Sequence, residues 1–264
     1  VELALVREGV TMLRGFKELD RILRGEATRS SSLAKGKLDI SIGDLWYILL
    51  LMGMFYGLCM GCKAGGTSFQ QLLATTLKVP ALFFFTLAIT FPSLYVFNAL
   101  VGSRLSIDTM LRLLFMAMAV MLTVLASLGL IVAFFAISTT SYAFMKLVNV
   151  VVFGVSGSLG LSFLLQTLQR LSTASPTIPP TAETGSEVEG PTPGALEPVE
   201  GQVLGSHVKA VFRCWVILFG LVGAQMGWVL RPFIGSPDQP FEWFRRRNSN
   251  IFEGVWQALT SLFS

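Results

Sequence analysis

Charge is scarce in this chain: of 264 residues, 14% are Asp, Glu, Lys or Arg, while 53% are hydrophobic. A soluble domain carries about 25% charged residues, so the depletion excludes an ordinary water-soluble fold. Histidine is rarer still, with His207 as its 1 example. That excludes a bis-histidine haem within the chain and removes the commonest metal ligand and acid–base group. The 3 cysteines, Cys59, Cys62 and Cys214, sit in apolar surroundings and do not form the pattern of a secreted disulfide framework. The net charge of +4 is modest and split along the chain, which leaves no nucleic-acid footprint. No secretory leader is expected either, because the first residues are amphipathic and charged rather than a compact apolar block.

What the chain does have is long apolar runs. A bilayer core needs about 20 apolar helical residues, and stretches near 45–66, 79–101, 108–137, 141–170 and 207–231 each meet that length. The expected fold is therefore all-α, a polytopic membrane helix bundle of about five transmembrane helices. The third and fourth runs exceed the need and must tilt, bend or protrude, with Gly129 a weak point in the third. Pro92 should kink the second, where Thr90 and Ser93 can cover freed backbone groups.

The spans divide the chain into an amphipathic N-terminal arm and connection (1–43), four spans (44–171), a linker (172–205), a fifth span (206–231) and an interfacial C-terminal arm (232–264). In the first arm, Met12, Phe16, Leu19 and Leu23 recur at helical spacing and predict a surface helix. The linker holds 6 prolines and 5 glutamates with no lysine or arginine, a composition that cannot bury enough apolar surface to order itself. Lysine and arginine favour a cytoplasmic N-terminus. The N-terminal arm carries Arg7, Arg14, Lys17, Arg21, Arg24, Arg29, Lys35 and Lys37, and the following loop carries only Lys63 and Lys78.

The clearest internal pattern is Gly53, Gly57, Gly61 and Gly65, one glycine every fourth residue of the first span. Such a row is a flat ridge on one helix face that lets a second helix approach closely. The second helix belongs either to the same bundle or to another subunit. Gly223 and Gly227 repeat the interval in the fifth span, and Gly154, Ser158 and Ser162 repeat it in the fourth. Cys59 and Cys62 have redox and metal spacing, but zinc needs four ligands. Cys214 and His207 are expected at the opposite end of the bundle, so no metal site is assigned and small buried thiols are the reading.

No Asp or Glu falls well inside a span, which counts against ion-coupled pumping. Lys146 lies near a span end and can snorkel. Asn149 and Gln166 are expected to hydrogen-bond between helices. The phenylalanine-rich runs read as lipid-facing or core surface, so no intrinsic cofactor is expected. Bound lipid, and pigment held by a neighbouring subunit, remain the open contacts.

At the C-terminal side, Arg231 and Pro232 end the fifth span abruptly, since proline offers no N–H to continue a helix. Trp228, Arg231, Trp243, Trp256 and the run Arg245, Arg246 and Arg247 suit a headgroup belt or an acidic partner. Ile251, Phe252, Val255, Trp256, Leu259 and Phe263 form one apolar face of a last surface helix.

Three resemblances bear on function. The GVSG run at 154–157 resembles the GxSG motif of rhomboid intramembrane proteases, which implies Ser156 as a nucleophile activated by a histidine on another span. His207 is expected at the edge of the fifth span and Ser156 roughly 20 Å deep, at about 1.5 Å per residue, so small residues in a packed helix are the preferred reading. The five-span layout with a polar arm and a proline-bearing second span, over roughly 40–231, is similar to the Yip1-like membrane proteins. The stretches TFPSLYVFNALVGSRLS and GWVLRPFIGSP resemble an uncharacterised family of bacterial multi-span membrane proteins, and that resemblance carries no functional residue.

The leading expectation is a non-catalytic accessory or scaffold subunit of a larger membrane complex, with membrane lipids and other integral membrane subunits as partners. An energy-transducing host, photosynthetic or respiratory, fits. The alternatives are a Yip1-like membrane-organising or trafficking factor and a small transporter or channel. The bacterial inner membrane is the expected location.

Overall fold

Apolar runs that lack strand alternation and carry few breakers become helices, and a computed structural model of the chain describes them over 2–27, 40–62, 69–100, 107–139, 141–174, 203–233, 242–244 and 251–263. Gly65, Lys63, most of the acidic linker and Arg245, Arg246 and Arg247 lie outside those residues. In chain order the helices are α1 (Glu2–Leu23), α2 (Ile42–Gly61), α3 (Phe69–Leu100), α4 (Ile107–Ser138), α5 (Tyr142–Ala174), α6 (Val203–Val229) and α7 (Ile251–Phe263). Among the described residues there is no strand. The architecture is an all-α membrane helix bundle.

Among the described residues, four helices are long and apolar enough to cross a membrane: α2, then Phe69–Val96 of α3, all of α4, and Tyr142–Thr167 of α5. The fifth expected span falls on α6, a helix of 27 residues (Val203–Val229), whose described apolar stretch is Arg213–Val229.

The helices run alternately up and down. At one end, which also holds the start of α4, Arg112 of α4 donates to the Ile40 carbonyl ahead of α2. At the other end, the last turns of α2 lie against the first turns of α3. α4 packs between α2 and α5, and α6 lies against α3. Ser41 caps α2 by accepting from the Asp44 amide at 3.4 Å, the usual remedy for an unsatisfied first-turn N–H.

The α2–α3 contact sets the architecture. A methyl group placed on Gly57 would lie 2.7 Å from both the Thr75 carbonyl oxygen and the Thr76 Cα. On Gly53 it would meet Pro80 at 3.1 Å, and on Gly61 it would meet Leu72 at 2.8 Å. The glycines recur every fourth residue and so do their neighbours on the antiparallel helix, so backbone rides on backbone. The described part of this ridge is therefore covered by the chain's own α3. On its other side α2 meets α4, where Gly129 stands against Tyr56 and Cys59, and a methyl there would be 3.3 Å from the Tyr56 ring. Tyr56 is fully buried and donates its hydroxyl to Asn149 Oδ1 of α5 at 2.7 Å. That bond ties α2 to α5 where no water can satisfy either group.

The second helix begins earlier than its hydropathy indicates. It starts at Phe69 rather than near 79, so Lys78 belongs to the helix and not to the preceding loop. Both Pro80 and Pro92 are accommodated inside it. Close to Pro92, Ser93 donates to the Thr90 carbonyl at 2.7 Å, and Trp215 of α6 donates to the same carbonyl at 3.3 Å.

The N-terminal arm also differs from expectation. α1 docks on α2 through Gly15, Leu19 and Ile22, with Gly15 pressed against Ile48. Met12, Phe16 and Leu23 stay exposed on the neighbouring sector. The expected apolar face is thus split, one edge covering α2 and the other left open.

An alanine at Gly57 should cost about 1–3 kcal/mol, the usual penalty for forcing a methyl into a filled contact. Thermal unfolding in detergent checks this. Gly154→Ala, where nothing lies within 4 Å of the added methyl, should leave the transition unmoved.

Candidate functional site

The most elaborate polar site is built where α6 ends. Arg231-Pro232 stops the helix, and the described residues that follow, 232–233 and 242–244, lie against the first turns of α3. Three side chains on one face of α3, at positions 71, 75 and 78, receive it. Gln71 Nε2 donates to the carbonyls of Pro232 at 3.4 Å and Phe233 at 3.1 Å. Thr75 Oγ1 donates to the Phe233 carbonyl at 2.6 Å. Lys78 Nζ donates to the Pro232 carbonyl at 3.2 Å and also to the Trp243 carbonyl.

These donors are buried, with Gln71 4%, Thr75 0% and Lys78 4% exposed. An ammonium in apolar surroundings costs several kcal/mol unless it is hydrogen-bonded. Here two backbone carbonyls and two aromatic rings surround it, Lys78 Nζ lying 6.0 Å from the Trp243 centroid and 5.2 Å from that of Phe244. The carbonyls gain as well. A segment that has left its helix would otherwise bring unsatisfied backbone oxygens into the apolar phase. The arrangement is a latch: side chains of one helix read the backbone of the chain's own exit segment.

Of the residues expected to face lipid or a partner, several are engaged within the chain. The Arg231 guanidinium lies 3.9 Å from the Trp228 ring centroid. Trp228 in turn stands against Gly254 of α7, which has no side chain to obstruct the ring. Trp243 offers its carbonyl to Lys78. Trp256 is different, being 65% exposed beside Phe252 on the outer face of α7. A methyl placed on Gly223 or Gly227 would touch α3, lying 3.5 Å from Thr86 or Leu82 respectively.

The other sequence candidates are not brought together. Cys59 is buried beside Gly129, and Cys62 follows the last turn of α2. Cys214 is exposed and adjoins Trp215, which meets Thr90 and Ser93 on α3. From Thr75 to Thr90 is a rise of roughly 22 Å at about 1.5 Å per residue. Among the described residues, no group of three or more His, Cys, Asp or Glu converges on a metal-sized point. Ser156 is buried and donates to the Val152 carbonyl of its own helix at 2.8 Å. His207 lies in the early turns of α6, the end of that helix away from the latch. A small apolar cavity of about 10 Å³ lies between α3, α4, α5 and α6, lined by Leu87, Leu114, Met118, Trp215 and neighbours. It has room for about one water-sized sphere.

Sequence reasoning missed Gln71, Thr75 and Lys78. Their signal is present in retrospect, as polar residues at a spacing of four and three on one face of an otherwise apolar helix.

The fold and this site define an integral membrane helix bundle. In comparisons with known proteins, no family model, no curated protein and no solved structure matches the chain.

Replacing Lys78 with methionine keeps the volume and removes a charged donor, each such hydrogen bond being worth about 1.5–3 kcal/mol. Amide hydrogen exchange at 230–233 and 242–244 should accelerate in Lys78→Met, and more so when Thr75→Val is added. Exchange unchanged from wild type would mean that the segment is held by something other than these donors.

Proposed function

We propose that this chain is a non-catalytic accessory or scaffold subunit of a larger membrane complex. The observation that carries the reading is the outward row on α5. Gly154, Ser158 and Ser162 are exposed at intervals of four, and their helix is the least buried of the four spans, at 28% of its apolar window. Where the glycine ridge of α2 is covered by α3, this second small-residue row is open among the described residues at Gly154, where nothing lies within 4 Å of an added methyl. Val151, Val155 and Leu159 flank it as exposed ridges. Small residues between apolar ridges accept a helix at close range, which is the common grammar of contacts between membrane subunits. Ser158 donates to the Val155 carbonyl at 2.8 Å, so the row is tolerable in lipid before a partner arrives.

The bacterial inner membrane, with the N-terminus cytoplasmic, suits the charge distribution. Arg14, Lys17 and Arg21 of α1, and Arg24 just after it, lie at the same end of the bundle as Arg112, in keeping with the rule that basic flanks stay in the cytoplasm. An energy-transducing complex, photosynthetic or respiratory, is a host of the right kind. A second reading, a membrane-organising factor of the Yip1-like type, draws support from α1 and α7. Both present exposed apolar residues, Met12 and Phe16 on one, Phe252 and Trp256 on the other.

Leucines at Gly154 and Ser158 should block the row without touching the bundle's interior. Native mass measurement after mild-detergent extraction from the native membrane should show wild-type chain in a stoichiometric assembly, and the double variant as a folded monomer. A wild-type monomer, or an assembly indifferent to the leucines, removes the scaffold reading. Deformation of liposomes by the isolated wild-type monomer would favour the second.

A further inference from the structure

α1 meets α2 at one level. A methyl placed on Gly15 would lie 2.7 Å from the Asp44 carbonyl oxygen and would also strike Ile48, so the closest approach falls in the first two turns of α2. Residues 44, 48, 51 and 55 recur at intervals of four and three and share one face of that helix. Ile48, which Gly15 meets, is fully buried, whereas Leu51 and Phe55 further along the same face are each 39% exposed. α1 therefore crosses the end of the span and does not run down it. A helix lying along the span would also carry Arg14, Lys17 and Asp20 into hydrocarbon, where such charges are costly. The apolar part of α2 begins at Ile42, so the crossing lies where headgroups give way to acyl chains.

A helix that crosses there turns one side to the bundle, one flank to the acyl chains and the other to water. Gly15, Leu19 and Ile22 form the side on α2. Met12, Phe16 and Leu23 stand roughly 60–100° round the helix from Gly15, and all three are exposed. The opposite flank is charged. It carries Arg14, which is exposed, with Glu18 and Arg21, where Arg21 donates to Glu18 Oε1 at 3.0 Å. The two flanks are unlike, and one orientation suits both: the apolar flank down over Leu51 and Phe55, the charged flank up in water.

We infer that the flank of Met12, Phe16 and Leu23 is inserted among the phospholipid acyl chains of the leaflet at this end of the bundle. α1 is then an in-plane helix, held by α2 at the boundary of headgroup and hydrocarbon, and helices of this kind reach about 5–10 Å into the layer. Acyl chains are the occupant because the flank lies at the level where the lipid-facing surface of α2 begins and continues that surface. This holds whether or not another subunit docks on α5.

The test places benzoylphenylalanine, one position at a time, at Phe16, Leu23 and Arg14 of the full chain, with Phe55 as the lipid-facing reference. All four side chains are exposed, so the fold is kept. Irradiation in the native membrane is followed by purification and intact mass measurement. Phospholipid adducts should form at 16 and 23 as they do at 55, and should be lost at 14. Joining of 16 or 23 to a second polypeptide in place of lipid would overturn acyl chains as the occupant. Equal lipid adducts at 14 and 16 would overturn the orientation. An adduct at 55 with none at 16 and 23 would place the flank in water and overturn the insertion itself.

Discussion

Backbone-to-backbone contact between α2 and α3 is the constraint on which the rest of this structure depends. Gly57 allows it, because any side chain there would collide with Thr75 and Thr76. Thr75 then serves two sides at once. Its backbone supports the glycine ridge, and its hydroxyl reaches the Phe233 carbonyl of the exit segment. Gln71 and Lys78 flank it on the same face of α3, so the position of the latch follows from the position of the ridge. The far end of α3 repeats the logic with different chemistry, where Trp215 reads the Thr90 carbonyl beside Pro92. α3 is therefore the hub: α2 lies on one side, α6 and its continuation on the other.

The polar groups inside this bundle obey one rule. In hydrocarbon an unsatisfied donor or acceptor costs several kcal/mol, and the described hydroxyls inside the spans meet it locally. Hydroxyls of Thr86, Thr90, Thr123 and Ser156 donate back to carbonyls one turn earlier. Tyr56 and Asn149 satisfy each other across helices. Lys78 is the extreme case, a charge whose neighbours include carbonyls released by the proline-ended helix. The same rule explains why the exit segment folds inward. Its free carbonyls and the buried donors of α3 solve each other's problem, which a segment left in the headgroup layer would not do.

Much of this was legible in the residues. Span lengths, the helical class and the interval of the glycine row follow directly from apolar runs and small-residue spacing. Asn149 as an interhelical partner follows from its being polar and neutral in an apolar run. The partner of the ridge was not legible, because spacing shows that a face is flat and not what covers it. Lys78 was misplaced for a physical reason: hydropathy charges a lysine at its full solvation cost, whereas carbonyls from a distant segment compensate this one. The face of α1 rotated because Gly15 contributes nothing to an apolar pattern yet marks the closest approach to α2. Arg231 and Trp228 looked like a free interfacial pair. Only the fold shows their stacking and the seat that Trp228 makes for α7.

The central claim is that the segment after Arg231 is latched to α3 and does not float as a surface anchor. Proximity in the native membrane tests it most directly. In a chain whose native cysteines are replaced by alanine, Thr75→Cys and Phe233→Cys put thiols on two residues that now meet through the Thr75 hydroxyl and the Phe233 backbone carbonyl at 2.6 Å. The account predicts rapid, near-complete joining of this pair by a short thiol-reactive cross-linker, with little joining when Phe233→Cys is paired with Thr90→Cys further along α3. Equal, slow cross-linking of both pairs would contradict it.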